Sequence, residues 1–342
     1  MIMVTGSIDF AKYDTLVDQI RSAVGEHPSV VAGVGPFSSL FRLNEFKKPP
    51  LISASVDGVG TKPRLASLLR RYREIGVDVV NHSVNDVLTS GAHPLFFLDY
   101  IGSSGLDQQA KLELIQGMVD ACRDAKCVLI GGETADMPQI YQEGDFDLVG
   151  FMIGACEEDD QIDPMRTRPR DVLIGLPSNG LHTNGYSLAR EALSIGLEPG
   201  SLKDIEFLER HQPELGETLA DALLRPHRSY LADLTPFLTK VRSLAHITGG
   251  GIAANLGRVI PAGLRAVVER GTWQVPPIFS FIQRSGQLSD DEMFGNFNMG
   301  IGMIAVVDPK LATDLMAKIP CFRVGLVERT LNGHDPVAFI DI

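Results

Sequence analysis

The chain has 342 residues, 44% hydrophobic and 22% charged, an ordinary globular composition long enough for about two domains. Its 31 Lys and Arg against 43 Asp and Glu give a net charge of -12. This argues against general affinity for nucleic acid or anionic membrane and leaves backbone amides or a carboxylate-bound divalent cation as the means of holding a polyanion. The four cysteines (Cys122, Cys127, Cys156, Cys321) form no CxxC pair, so neither a disulfide framework nor a zinc site is expected, and a reduced cytoplasmic setting is the simpler reading.

The N-terminus MIMVTGSIDF lacks the basic start and apolar core of a signal peptide, and the apolar stretch from Leu148 to Cys156 is far short of the ~18 residues of a membrane span. Leu51 to Val56 is rich in β-formers and leads through DGVG into a helix, KPRLASLLRRYR. Val80, Val84, Val87 and Leu88 fall at helical spacing in a segment that stops at Gly91, and PLFFLDYIG reads as a buried strand. Leu112, Ile115, Met118, Val119 and Cys122 share one face of a helix between Asp107 and Asp124. CVLIG follows as a short strand, GGETADMP as a loop, and DLVGFMIGAC closes the first half as a strand.

Glu157 to Arg170 carries charges, prolines and no hydrophobic period, which places a domain boundary there and divides the chain into 1–165 and 166–342. Beyond it, DVLIGLP is a strand, SNGLHTNG a polar glycine loop and YSLAREAL a helix, while Leu215 to Tyr230 reads as a peripheral helix. AHIT, GGG and IAANLGRVI repeat the order strand, loop, helix; GIGMIAVV and CFRVGLVE are strands flanking the helix KLATDLMAKI. The class is mixed α/β, and two halves of similar length leave an internal duplication open.

Chemistry concentrates in Asp57, Asp86 and Glu133 with Asp136, each at or beside the end of a predicted element and next to glycine or small polar residues. Hard cations such as Mg²⁺ take carboxylate oxygens and bridge them to substrate phosphates, so convergent acids in a chain without excess base fit nucleotide triphosphate chemistry. The alternative is that each is a helix cap or turn acid. In SVDGVGTK, Gly58 and Gly60 permit close backbone approach, Thr61 offers a hydroxyl and Lys62 opens a helix. Neither GxxxxGK[ST] nor GxGxxG is present in a phosphate-binding position, so the P-loop and Rossmann readings both lose support.

Two loops of the second half add donors. Asn179, His182, Thr183 and Asn184 lie between glycines ahead of a helix, and Thr248, Gly249, Gly250 and Gly251 form a backbone-amide nest. His182 and His246 are the histidines nearest these loops, and each reads equally well as a structural hydrogen-bonding residue or a catalyst. Asn298 lines a pocket or a tight turn; GVGP at Gly33 to Pro36 and Trp273 are structural.

Taken in order, ISASVDGVGTK, IGVDVVNHSVNDVLTSGAHPLFFLDYIG, LIGGETADMP with YQEGDFDLVGFMIG, GLPSNGLHTNGYSLAR, AHITGGGIAANLGRVIP and EMFGNFNMGIGMI closely resemble the aminoimidazole ribonucleotide synthetase (phosphoribosylformylglycinamidine cyclo-ligase) family, from about Leu51 to Val306. The acids and glycine loops are shared with thiamine-monophosphate kinase and selenophosphate synthetase, whereas FFLDY and GGETADMP are more particular to the cyclo-ligase. The resemblance implies a homodimer whose N-terminal domains pair through their sheets, a C-terminal α/β domain, and ATP near the N-terminal domain. It also implies that ATP phosphorylates the amide oxygen of formylglycinamidine ribonucleotide, and that an amidine nitrogen then closes the imidazole ring with loss of phosphate.

Carried over residue by residue, the resemblance gives Asp57, Asp86 and Glu133 as Mg²⁺ ligands, and Asp57, Gly58, Gly60, Thr61, Lys62, Asn85, Gly131 and Gly132 at the nucleotide. It gives Asn179, Thr183, Asn184, Thr248 to Gly251 and Asn298 at the substrate, with His182, His246 and Lys62 in catalysis. Family members typically carry a lysine near the N-terminus where Val4 stands here, although Asp9, Gly33, Gly35 and Phe37 are retained. Two other readings stay open: the same fold acting on a different phosphate acceptor, and a nucleotide-binding subunit without catalysis.

Overall fold

The computed structural model describes residues 10–34, 38–43, 46–196, 198, 200–330 and 335–342; Val4, Asp9, Gly35 and Phe37 lie outside the described residues. The first half runs α1 (Phe10–Val24), β1 (Val30–Ala32), β2 (Leu40–Phe41), β3 (Leu51–Gly58), α2 (Lys62–Leu69), α3 (Arg73–Leu88), β4 (His93–Ser103), α4 (Gln108–Asp124), β5 (Val128–Asp136) and β6 (Phe146–Cys156). The second begins with β7 (Val172–Pro177), α5 (Tyr186–Ala192), α6 (Leu202–Glu209), the hairpin strands β8 (His211–Gln212) and β9 (Glu217–Thr218), α7 (Leu219–Leu224) and α8 (Leu231–Leu234). It continues with β10 (Ser243–His246), α9 (Gly251–Gly257), β11 (Leu264–Arg270), α10 (Pro277–Gly286), α11 (Asp290–Asn296), β12 (Ile301–Val307), α12 (Pro309–Lys318), β13 (Phe322–Arg329) and β14 (Val337–Asp341).

Alternation along β3 sets the first sheet, ordered β3-β6-β4-β5. Ser53, Ser55 and Asp57 point to α3 and the turn that follows it, where they bond Ser90, Asp86 and His82. The intervening Ile52, Ala54 and Val56 therefore face away. That outer face is apolar and open: Ile52 is 54%, Val56 59% and Phe151 40% exposed. β5 runs on through GGETAD, where the sequence suggests a loop, because parallel pairing with β4 continues to Asp136 opposite Ser103. Ladder bonding there outweighs the weak strand propensity of paired glycines.

The second sheet is ordered β10-β12-β7-β13-β11-β14. β12 lies inside it and is buried along its whole length. Met303, Ala305 and Val307 enter a core with Tyr230, Leu234 and Leu315, while Ile304 and Val306 enter another with Leu256 and Val268. An unbroken apolar run is what a strand covered on both faces requires.

Between the two halves runs a segment that the sequence suggests is the end of a peripheral helix. Only Leu219–Leu224 is helical. Pro226 keeps Arg225 out of the helical region, at φ -50 and ψ 127, and the chain then lies along α3. Asn81 donates to the His227 carbonyl at 2.7 Å and Asn85 to the Arg228 carbonyl at 2.8 Å, while Tyr230 N–H donates to Asn85 Oδ1 at 2.9 Å. His227 and Tyr230 are thereby buried.

Candidate functional site

Five chain segments meet where this contact ends. On α3, His82 and Asp86 are one helical turn apart and share a face. The end of β3 brings Asp57, the β7–α5 loop brings His182 and Thr183, the segment before α8 brings His227, and β10 ends on His246. His82 Nε2 stands 2.9 Å from Asp57 Oδ2 and 3.6 Å from Asp86 Oδ2, and its Nδ1 is 2.9 Å from Thr183 Oγ1. His246 Nδ1 is 2.8 Å from Asp86 Oδ1, and its Nε2 is 3.1 Å from His227 Nε2. Thr183 Oγ1 closes the loop at 3.4 Å from His227 Nδ1.

Burial opposes the charged form of every ring here, yet the outcome differs. For His82, burial is outweighed by the hydrogen bond to Asp57 and the charges of Asp86 and Asp57, and the group is held above its ordinary value. For His246, burial wins over its bond to Asp86. Burial and neighbouring cations push His182 and His227 well down, so both are neutral. Asp57 and Asp86 are held below the usual carboxylate range; burial would raise them, but the hydrogen bonds and charges of His82 and His246 prevail. The result is a rim of anionic oxygen over a floor of imidazole, with Asp57 53% and Asp86 27% exposed at the side chain.

Lys62, expected at the nucleotide, is placed in the interior. It has no exposed surface. Its ammonium pairs with Asp78 Oδ2 at 2.7 Å and donates to the His182 carbonyl at 3.2 Å and the Arg225 carbonyl at 2.8 Å. Asp78, also fully buried, accepts the His227 N–H at 2.6 Å. In this arrangement Lys62 has no face left for a phosphate, and it ties α2 and α3 to both loops of the second half. The other polar residues of its glycine loop stay near the surface, with Thr61 Oγ1 3.2 Å from Ser187 Oγ.

Glu133 does not join Asp57 and Asp86 within one chain. The register aligns Gly58, Val149, Tyr100 and Glu133 across the sheet, three strand spacings or about 14 Å end to end. Glu133 shares the outer face with Tyr100, opposite the helix face that Asp57 uses. Gly131 and Gly132 lie on the same distant strand. Asn85 is buried and committed to the Arg228 and Tyr230 backbone, so it scaffolds the site.

Of the second-half residues, Thr183 belongs to the cluster and Asn184 donates to it at 3.3 Å. Asn179 is exposed and donates to the Pro226 carbonyl. Asn298 is a buried bracket, accepting from Ser178 and the Gly300 N–H and donating to the Gly180 carbonyl. In the Thr248 to Gly251 turn, Gly250 adopts φ 87, and Asn255 donates to three of the turn's carbonyls, which leaves Gly249 and Gly250 facing solvent. Gly302 lies under the cluster, where a Cβ would overlap the Tyr230 hydroxyl and the His182 ring.

His82, His227 and Asp78 are missed by the sequence reading. His82 had a signal, the i, i+4 relation to Asp86. His227 had none, because only the turn at Pro226 carries it inward. A surface recess lined by Thr167, Arg168, Pro261 and Arg329 shares no residue with the cluster.

Two family models match the chain: AIR synthase related protein, N-terminal domain, over residues 43–156, and AIR synthase related protein, C-terminal domain, over residues 168–332. The phosphoribosylformylglycinamidine cyclo-ligase of Myxococcus xanthus (strain DK1622) is 44% identical over 331 residues, 94% of each chain. That of Desulfitobacterium hafniense (strain DSM 10664 / DCB-2) is 41% identical over 336 residues, 95% of this chain and 96% of the relative. Among solved structures, thiamine-monophosphate kinase from Stenotrophomonas maltophilia K279a aligns with a TM-score of 0.67 at 16% identity over 95% of both chains. Hydrogenase maturation protein HypE in complex with ATP aligns at 0.64 and 17% identity over 98% of this chain and 92% of its own. Identities of that size show a shared fold alone, whereas matches above 40% identity over nearly the whole chain decide the family: the chain belongs to the phosphoribosylformylglycinamidine cyclo-ligase family.

Proposed function

We propose that the chain catalyses the ATP-dependent closure of formylglycinamidine ribonucleotide to 5-aminoimidazole ribonucleotide, releasing ADP and phosphate, as a cytoplasmic enzyme divided near residue 165. The observation that carries this reading is the joining of the first-half acids to the second-half glycine loops through Asp57–His82–Thr183 and Asp86–His246. One seam therefore holds anionic oxygen and imidazole within reach of one another. Among the described residues no helix is long and apolar enough to cross a membrane.

ATP supplies the phosphoryl group that turns the amide oxygen into a leaving group. Two carboxylates fit a phosphate-bridging Mg²⁺ only in part. Both carboxylates have both oxygens bonded, Asp86 to His246 and Ser55 and Asp57 to His82 and the Gly58 N–H, but Asp57 is the more exposed. Asp57, with water and nucleotide phosphates completing the shell, is the residue that would hold the ion. The exposed amides at Gly249 and Gly250 suit the ribose phosphate, and neutral His182 and His246 suit proton transfer at the closing ring. Positioning and charge stabilisation would carry most of the rate enhancement.

The open apolar face of the first sheet supports a homodimer through that face, which would also cover Glu133 and Tyr100. Incubation of the purified chain with formylglycinamidine ribonucleotide, ATP and Mg²⁺ is expected to yield the aminoimidazole product and one ADP per turnover. Absence of both products sinks the assignment.

A further inference from the structure

The recess at the far end of the second sheet carries positive charge that no acid answers. Its volume is about 570 Å³, in the range of sites for small organic molecules, and none of the described residues that line it is acidic, although the chain as a whole stands at -12. We propose that it binds a nucleoside monophosphate, with the phosphate on Arg168 and Arg329 and the ring against the apolar surfaces of Pro169, Pro261 and Met165. The site lies where β7 begins and β13 ends, whereas the histidine cluster lies beyond the other end of β7. Six strand residues, or about 20 Å, separate the two.

Backbone bonds build the site. Arg170 N–H donates to the Val327 carbonyl at 2.7 Å and Val327 N–H to the Asp171 carbonyl at 2.8 Å, which draws the segment before β7 onto the end of β13. Arg168 and Arg329 each stand within three residues of that contact and line the same recess. Arg168 is set before a ligand arrives, because Nη1 donates to the Met165 carbonyl at 2.7 Å and the Thr167 carbonyl at 2.9 Å. Its Nε and Nη2 have no partner among the described residues, and that edge is one that a phosphate engages with two parallel bonds. Arg329 is exposed and likewise has no partner among the described residues. Nearby acids are spent or turned away. Asp171 accepts from Arg242 at 2.9 Å and from the Arg168 N–H at 2.7 Å, while Glu328 pairs in register with Arg265 and so faces away from Arg329 by strand alternation. Two guanidinium groups match the charge of a phosphate monoester, and proline and methionine surfaces suit a flat ring. Gly263, at φ 80 in the turn before β11, leaves its side of the recess open, since a Cβ there meets nothing within 4 Å.

The test uses the full chain with a non-hydrolysable ATP analogue and Mg²⁺ at saturation, and follows AMP by equilibrium dialysis. AMP is expected to bind saturably, with an affinity that falls as salt is raised. Inorganic phosphate and adenosine are each expected to compete at least about tenfold more weakly, because each offers half of the ligand. Arg168→Gln and Arg329→Gln are each expected to weaken AMP binding by about 10 to 100-fold at unchanged KM for ATP and for the ring-closure substrate. Asp57→Asn is expected to leave AMP binding as it is. Absence of saturable AMP binding, an unchanged affinity in both arginine variants, or inorganic phosphate competing as well as AMP overturns the proposal. If Arg168→Gln does not fold, Arg329→Gln, which breaks no side-chain bond among the described residues, decides alone. Binding is read without turnover, so its failure leaves the ring-closure assignment standing, and the reverse also holds.

Discussion

Two charged groups tie the halves of the molecule together, and they do so in opposite ways. Lys62 and Asp78 form a sealed pair with no exposed side-chain surface, and their remaining bonds go to protein backbone. Asp57 and Asp86 pair with histidines yet keep 53% and 27% of their side-chain surface. The sealed pair has no valence left for a ligand and acts as a fastener. The open pair keeps oxygen on the rim and imidazole beneath, which is what binding and proton transfer need. Exposure, and not charge or neighbouring glycine, separates the two roles.

The comparison breaks most readily at Lys62. Lys62→Met leaves Asp78 buried without a cation and is expected to lower the unfolding free energy by about 3 to 5 kcal/mol in urea titration, with Lys62→Met/Asp78→Leu recovering much of it. A variant of unchanged stability but weakened ATP binding would return Lys62 to the nucleotide.

A third buried acid lies between these extremes. Asp99 is 8% exposed and has no cation partner among the described residues, and burial raises it to about 7. The folded chain therefore holds this proton more tightly than the unfolded chain. The associated stability is full below about pH 4 and is lost as pH rises through about 7, a difference on the order of 2 to 4 kcal/mol. Asp99→Asn is expected to remove that fall, seen as a variant more stable than wild type at pH 8 and similar to it at pH 4. Parallel pH profiles for the two proteins would contradict the assignment.

At the open pair the loss should be of turnover. Asp57→Asn or Asp86→Asn is expected to reduce ring closure by about 100-fold or more, about 2.7 kcal/mol of barrier, while the unfolding midpoint moves little. Full Mg²⁺-dependent turnover in either variant removes that residue from the chemistry. The smallest effect concerns the outer face of the first sheet. Phe151→Asp is expected to raise the dimer dissociation constant by at least about tenfold in sedimentation equilibrium, with the monomer still folded. A monomeric wild-type chain would refute the pairing itself.

Much of the architecture was legible in the sequence because periodicity reports burial directly. β12 reads as a continuous apolar run because both its faces are covered, and α4 shows its stripe because one face is. Asp57 and Asp86 stood out by their places at element ends. The pairings did not, and His82 was missed, since His82 lies 25 residues from Asp57 and His246, though named as a candidate, lies 160 from Asp86. Glu133 illustrates the opposite case: it resembles the other acids in its local pattern, but within one chain strand register sets it on the other face of the sheet.

By itself the sequence determined that the chain is α/β, acidic, rich in glycine loops and a bearer of the cyclo-ligase motifs, because composition, period and motif order are local properties. Only the tertiary structure decided that Lys62 is sealed, that Glu133 stands apart within one chain and that Asp57, Asp86 and four histidines converge. Those outcomes depend on the register of β3 through β6 and on Pro226 turning the chain against α3, and neither a spacing nor a residue type encodes the distance across a sheet or between two halves.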